Sequence, residues 1–154
     1  MTLKLQHPFI FIVAGASSCG TSTFAIRLLE CREVICDVFE NIVWCLTENN
    51  TPHDRKNFSF VKGVPDFENP ENVPTILVLD DLMDSAYFRK LSELFTKWSN
   101  HRNISLVLIT QKVFHQGPSS RDISLNSKCI IVFKNPRGKT NCALGSASLP
   151  RKLF

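Results

Sequence analysis

The chain has no apolar run approaching the ~20 residues that a membrane-spanning helix needs. Its first residues, Met1 to His7, do not resemble a secretory leader, because the apolar run after them is short and flows straight into a glycine-bounded loop. An intracellular protein is expected, in the cytoplasm or nucleus of a host cell, with no membrane partner. The six cysteines contain no C-x-x-C pair. Cys31 and Cys36 have no histidine nearby to complete a zinc site. Cys45 and Cys129 stand inside apolar runs and read as small buried residues, and free thiols fit a reducing compartment. Acidic residues stop at Asp122. Residues 1–122 hold 12 Lys/Arg against 14 Asp/Glu, a net of −2, whereas residues 123–154 hold six basic residues and no acid. Such a basic end suits contact with nucleic acid; a solvated surface with no special partner accounts for it equally well.

Against these absences stands Gly15-Ala16-Ser17-Ser18-Cys19-Gly20-Thr21-Ser22. It follows the apolar run from Pro8 to Ala14 and precedes the helix-like stretch from Thr23 to Glu30. Strand, glycine-bounded loop and helix in that order form the layout of a phosphate-binding loop. Two glycines five positions apart let the loop curl so that its N–H groups point inward. With the start of the helix they make a cradle for a polyphosphate. Residues 15–23 are therefore the candidate nucleotide contacts, with Thr23 the last of them, and Ser22 is the candidate magnesium ligand. One member of the pattern is missing: position 21 calls for lysine and holds Thr21. A threonine donates one hydrogen bond but carries no charge to neutralise terminal phosphates. A serine-rich turn joining a strand to a helix is the plain structural alternative.

A first strand is expected over about 8–14 and a first helix from about Ser22 into the low thirties, with Phe24, Leu28 and Leu29 toward a sheet. The second half of 38–46 reads as a strand with Trp44 in the core. Residues 47–74 are polar and punctuated by four prolines, a surface excursion in which a short strand at 58–61 is possible. Thr75-Ile76-Leu77-Val78-Leu79-Asp80-Asp81 reads as a buried parallel strand with acids at its C-terminal end. That end is where ligands sit in open α/β sheets. Asp80 is placed to order magnesium and Asp81 to polarise an attacking water; an acidic turn is the structural alternative. An amphipathic helix is expected over 84–99, with aromatic residues along one stripe. Residues 103–111 form another strand ending in Gln111, a candidate contact to a terminal phosphate or to the attacking water. Arg121, in a turn-rich connection, is a candidate arginine finger. A last strand is expected over 128–133.

Taken together the motifs resemble a known family. The stretches His7-Pro8-Phe9 into Gly15–Ser22, Leu77–Met83, His101–Ser105, Thr110-Gln111, Phe114–Gly117, Arg121–Asn126 and Phe133–Arg137 are similar, in order, to the DNA-packaging ATPases of large double-stranded DNA viruses and of polinton (maverick) elements. These belong to the FtsK–HerA group of P-loop motors, and the resemblance spans about residues 7–140. It implies a single three-layer α/β domain of the RecA/ASCE type, with a mostly parallel five-stranded sheet in the order 5-1-4-3-2. It implies ATP and Mg2+ as ligands, double-stranded DNA as partner and a homo-oligomeric ring as assembly. It assigns Gly15, Gly20 and Ser22 to the phosphates and magnesium, Asp80 and Asp81 as the acidic pair, Gln111 as sensor and Arg121 as finger. The chain departs from the family at Thr21 and after about residue 140, where a shortened or eroded C-terminal segment is expected.

Two function classes follow. One is an ATP-driven motor on DNA, supported by the acids, Gln111 and the basic end. The other is a non-hydrolysing nucleotide-binding or DNA-associated subunit, supported by Thr21. A small nucleotide kinase fits less well, since no arginine-rich lid is present.

Overall fold

The computed structural model describes residues 5–31, 35, 39–47, 58–64, 73–82, 103–111 and 124–134. In chain order the elements are β1 (Ile10–Ala14), α1 (Thr21–Glu30), β2 (Asn41–Leu46), β3 (Ser59–Lys62), β4 (Thr75–Asp80), β5 (Ile104–Thr110) and β6 (Cys129–Val132). The six strands form one sheet in the order β3-β2-β4-β5-β1-β6. Every pairing is parallel. The protein is thus α/β, compatible with a Rossmann-like or P-loop fold.

The strand sequences explain the architecture. IFIVA, TILVLD and ISLVLIT are apolar on both faces, and β1, β4 and β5 are buried almost throughout. Continuous apolar runs of this kind suit the middle of a parallel sheet covered on both sides. The outer strands β2, β3 and β6 are more exposed. Alternate residues divide the core in two. Ile10, Ile12, Leu77, Leu79, Leu106 and Leu108 lie on one face. Phe11, Val13, Trp44, Ile76, Val78, Val107 and Ile109 lie on the other, together with α1.

Helix α1 has no internal Gly or Pro, and Arg27 in its last turn complements the helix dipole. It buries Ala25, Ile26 and Leu29. Phe24 and Leu28, expected to face the sheet, are only partly buried and flank that contact. Burial of Ile26 and Leu29 contributes about 2 kcal/mol each. The helix ends where the Cys31 N–H closes back on the carbonyls of Arg27 and Leu28.

Two expectations need correction. The sheet has six strands, not five, and its order is not 5-1-4-3-2 as written. The added strand is β3, which pairs with β2 at the edge, Val43 opposite Ser59 and Leu46 opposite Lys62. Phe58 and Phe60 bring it there by packing beside Trp44, with ring centroids 6.1 and 6.4 Å away. Cys129, read as buried, is only partly so because β6 lies at the opposite edge. The helix expected over 84–99 lies outside the described residues. Among those described, no helix is long and apolar enough to cross a membrane.

The N-terminal edge of the sheet is closed by polar contacts. Ser105 is fully buried, and its Oγ accepts the Phe9 N–H at 3.1 Å. His7 lies between Ser105 Oγ and Asn103 Oδ1, at 2.5 Å on each side. Asn103 Oδ1 only accepts, so His7 Nε2 donates to it; in the matching neutral tautomer Nδ1 accepts a hydrogen bond from the Ser105 hydroxyl. Phe39 meets the His7 ring edge-on at 5.1 Å. Lys128 Nζ donates to the carbonyls of Gln6 and Pro8 at 3.1 and 2.9 Å.

Candidate functional site

Because every strand runs the same way, all six C-terminal ends reach one edge. The order β4-β5-β1 sets the ends carrying Asp80, Gln111 and Gly15 side by side. Backbone bonds continue the ladder past the strands: the Gly15 N–H donates to Thr110 O at 3.0 Å and the Asp81 N–H to Ile109 O at 3.1 Å.

The loop leaves β1 at Gly15, which is buried, passes through Ala16, Ser17, Ser18 and Cys19, and enters α1 at Gly20. Its curl comes from two left-handed residues, Ser18 at φ 65° and Gly20 at φ 93°. The turn is closed by the Cys19 N–H on Ala16 O at 3.1 Å. The two glycines are needed for different reasons. A Cβ on Gly15 would collide with Cys19 Sγ and would come within 2.8 Å of Thr21 Cγ2 and 2.9 Å of Phe133 Cβ. A Cβ on Gly20 would meet nothing, but the left-handed backbone there disfavours any L side chain. Thr21, Ser22 and Thr23 form the first turn of α1, with Thr23 exposed. Among the described residues no side-chain hydrogen bond caps that helix end, and its first turn carries no acid. Its leading N–H groups and positive dipole end are thereby left to other acceptors.

Ser22 Oγ donates to Asp80 Oδ2 at 3.1 Å. The first turn of α1 and the end of β4, 58 positions apart in the chain, are joined by this bond. Trp44 Nε1–H donates to the same oxygen at 3.2 Å. Burial pushes the Asp80 carboxyl above its usual range, the Ser22 and Trp44 hydrogen bonds draw it back, and the neighbouring Asp81 charge adds to the rise. Asp81 adopts a left-handed backbone, φ 55°, a conformation Asp tolerates better than most residues. It is exposed and accepts a 2.7 Å hydrogen bond from Gln111 Nε2.

The loop hydroxyl, both acids and Gln111 are therefore gathered at one edge. Arg121 lies outside the described residues. The sequence reading missed the contact from Trp44. A buried tryptophan needs an acceptor for its N–H, and that requirement was the available signal; the identity of the acceptor depends on the β2–β4 register, Trp44 opposite Val78 and Leu46 opposite Asp80.

Among the described residues no group of three or more His, Cys, Asp or Glu could hold a metal ion. One carboxylate beside one hydroxyl is nevertheless a donor set that suits Mg2+, a hard cation that keeps several waters and shares the rest of its shell with phosphate. Ser22 and Asp80 fit that role. The chain matches no protein-family model, and no curated protein sequence matches it significantly.

Proposed function

We propose that this chain is a P-loop nucleoside-triphosphate-binding domain of the RecA/ASCE type, related to the ATP-driven motors that package double-stranded DNA. The observation that carries the reading is the Ser22–Asp80 hydrogen bond at 3.1 Å. It links the hydroxyl that follows a glycine-bounded loop to the acid that ends a buried parallel strand, the two places where such domains keep their magnesium-handling groups.

In this reading the N–H groups of residues 15–23 bind the phosphates. Ser22 directly, and Asp80 through water, would hold Mg2+, which supplies charge neutralisation when bound. Gln111 holds Asp81 through their 2.7 Å hydrogen bond. Asp81 accepts the proton of a water that attacks the terminal phosphorus, as the bridging oxygen departs with ADP. Arg121 from a neighbouring copy in a ring would complete the charge balance.

A second reading, a nucleotide-binding subunit that does not turn over, is favoured by Thr21. With no lysine in the loop, the phosphates meet dipoles and hydroxyls but no cation from position 21. Loop N–H donors alone suffice for binding and do less for the transition state. DNA as partner is supported by the excess of basic residues after position 122. Of these, Lys134 is exposed, whereas Lys128 is engaged at the opposite edge of the sheet.

The test is ATP hydrolysis with and without duplex DNA, for the natural chain and Thr21→Lys. DNA-stimulated turnover by the natural chain supports the motor. Turnover by the variant alone supports the binding subunit. No nucleotide binding by either sinks the whole proposal.

A further inference from the structure

We infer that Trp44 is a positioning residue for the Asp80 carboxylate and that the edge strand β3 braces it. The inference rests on the nucleotide-binding reading above and deepens it. Two donors from different elements converge on one oxygen, Asp80 Oδ2: Ser22 Oγ from α1 at 3.1 Å and Trp44 Nε1 from β2 at 3.2 Å. The two differ in mobility. A serine hydroxyl turns about its own bond and can leave the carboxylate for another partner. The indole N–H cannot, because the Trp44 ring is fully buried and wedged by Phe58 and Phe60. Those two phenylalanines stack on each other with centroids 6.3 Å apart.

With a divalent cation bound, the Ser22 hydroxyl would offer it a lone pair, while its O–H could stay on Asp80 Oδ2 or turn to another acceptor. The indole keeps Oδ2 fixed, so the carboxylate rotates no further and its other oxygen stays directed at the same place. Preorganisation of this kind lowers the ordering cost of binding. It also gives β3 a purpose: the strand that enlarges the sheet forms the wall behind the tryptophan.

The experiment titrates Mg2+ into the full chain holding a fluorescent ribose-labelled ATP analogue, reading anisotropy, for wild type and Trp44→Phe. Phenylalanine keeps an aromatic ring and removes only the N–H and the second ring. The variant should need about tenfold more Mg2+ to reach half-maximal binding, the worth of one hydrogen bond to a charged group. Its nucleotide affinity in EDTA should be unchanged, which a general loosening of the core would not leave intact. An unchanged Mg2+ midpoint overturns the inference and leaves the nucleotide-binding reading standing. A wild type that binds no nucleotide overturns both. If Trp44→Phe does not fold, the chain's other tryptophan, Trp98, is replaced by phenylalanine, and the single indole N–H resonance that remains, that of Trp44, serves instead. It should move on Asp80→Asn, and a resonance that stays in place overturns the inference.

Discussion

At the N-terminal edge of the sheet, His7, Asn103, Ser105 and Lys128 satisfy one another and the chain's own carbonyls. At the C-terminal edge, two consecutive carboxylates stand beside a loop of backbone donors, with Ser22, Trp44 and Gln111 as their partners. The first arrangement joins residues 6–9 to β5 and to the start of β6 through these bonds. It is what folding alone would select. The second holds Asp80 against a burial cost and sets Asp81 in a left-handed backbone next to it. Polar groups held against a desolvation cost where several strand ends meet make this edge the candidate site.

The difference between the two edges should respond most strongly to a change at position 21. Thr21→Lys restores a cation over the loop, and turnover of ATP is expected to rise about a hundredfold, comparable to adding one preorganised donor to a transition state. The thermal midpoint should stay close to wild type, because Thr21 is only partly buried at a helix start. An equally slow variant would show that the C-terminal edge is deficient in more than its lysine. Ser105→Ala is the matching change at the other edge. It strips a partner from His7 and from the buried Phe9 N–H, and should lower stability by about 2 kcal/mol. Denaturant unfolding measures the loss, while nucleotide affinity below the transition is expected to hold. A loss of affinity as large as the loss of stability would erase the division of labour between the edges.

Much of the C-terminal edge was legible before the structure. Strand, loop and helix are local features, so Gly15, Gly20 and the start of α1 follow from neighbours in the chain. Asp80 and Asp81 at the end of β4, and Gln111 after β5, were readable because apolar runs ending in polar residues identify the carboxyl ends of buried strands. Their convergence needed the strand order as well, which no local pattern carries. β3 was visible as a short apolar stretch, but its place beside β2 depends on Phe58 and Phe60 packing on Trp44 across the sheet. The N-terminal cluster was invisible for the same reason: His7 and Ser105 are 98 positions apart and meet only through the β1–β5 register.

A smaller effect, of opposite sign, is expected from Asp80→Asn. The carboxyl is raised in the folded state chiefly by burial, so between its unfolded and folded values the native chain binds more protons than the unfolded one. Stability therefore falls as pH rises through that window, and above it the charged group carries its full penalty. Asparagine removes the charge and can still accept from Ser22 and Trp44. The variant should unfold at a higher denaturant concentration than wild type at neutral pH. The advantage should vanish in acid, below the ordinary carboxylate range, where both forms are neutral. Mg2+-dependent nucleotide binding should be lost at the same time. A destabilised Asp80→Asn at neutral pH would mean that the carboxylate is structural and that the two edges differ less than their geometry suggests.

Lys128→Met is expected to do least. The ammonium bonds two carbonyls, Gln6 O and Pro8 O, yet it is exposed, and water replaces it at both acceptors with little penalty. Methionine keeps most of the aliphatic stem that lies along the edge. The cost should stay under about 1 kcal/mol, with nucleotide affinity unmoved. The informative reading is DNA binding. Lys128 belongs to the basic stretch after residue 122, but it sits at the edge remote from the loop and is already engaged by the chain. If the basic stretch meets phosphates through its other cations, Lys128→Met leaves the salt dependence of duplex binding as it was. If that dependence weakens by about one ion, Lys128 leaves its carbonyls for DNA, and the N-terminal edge is a binding surface as well as a clasp.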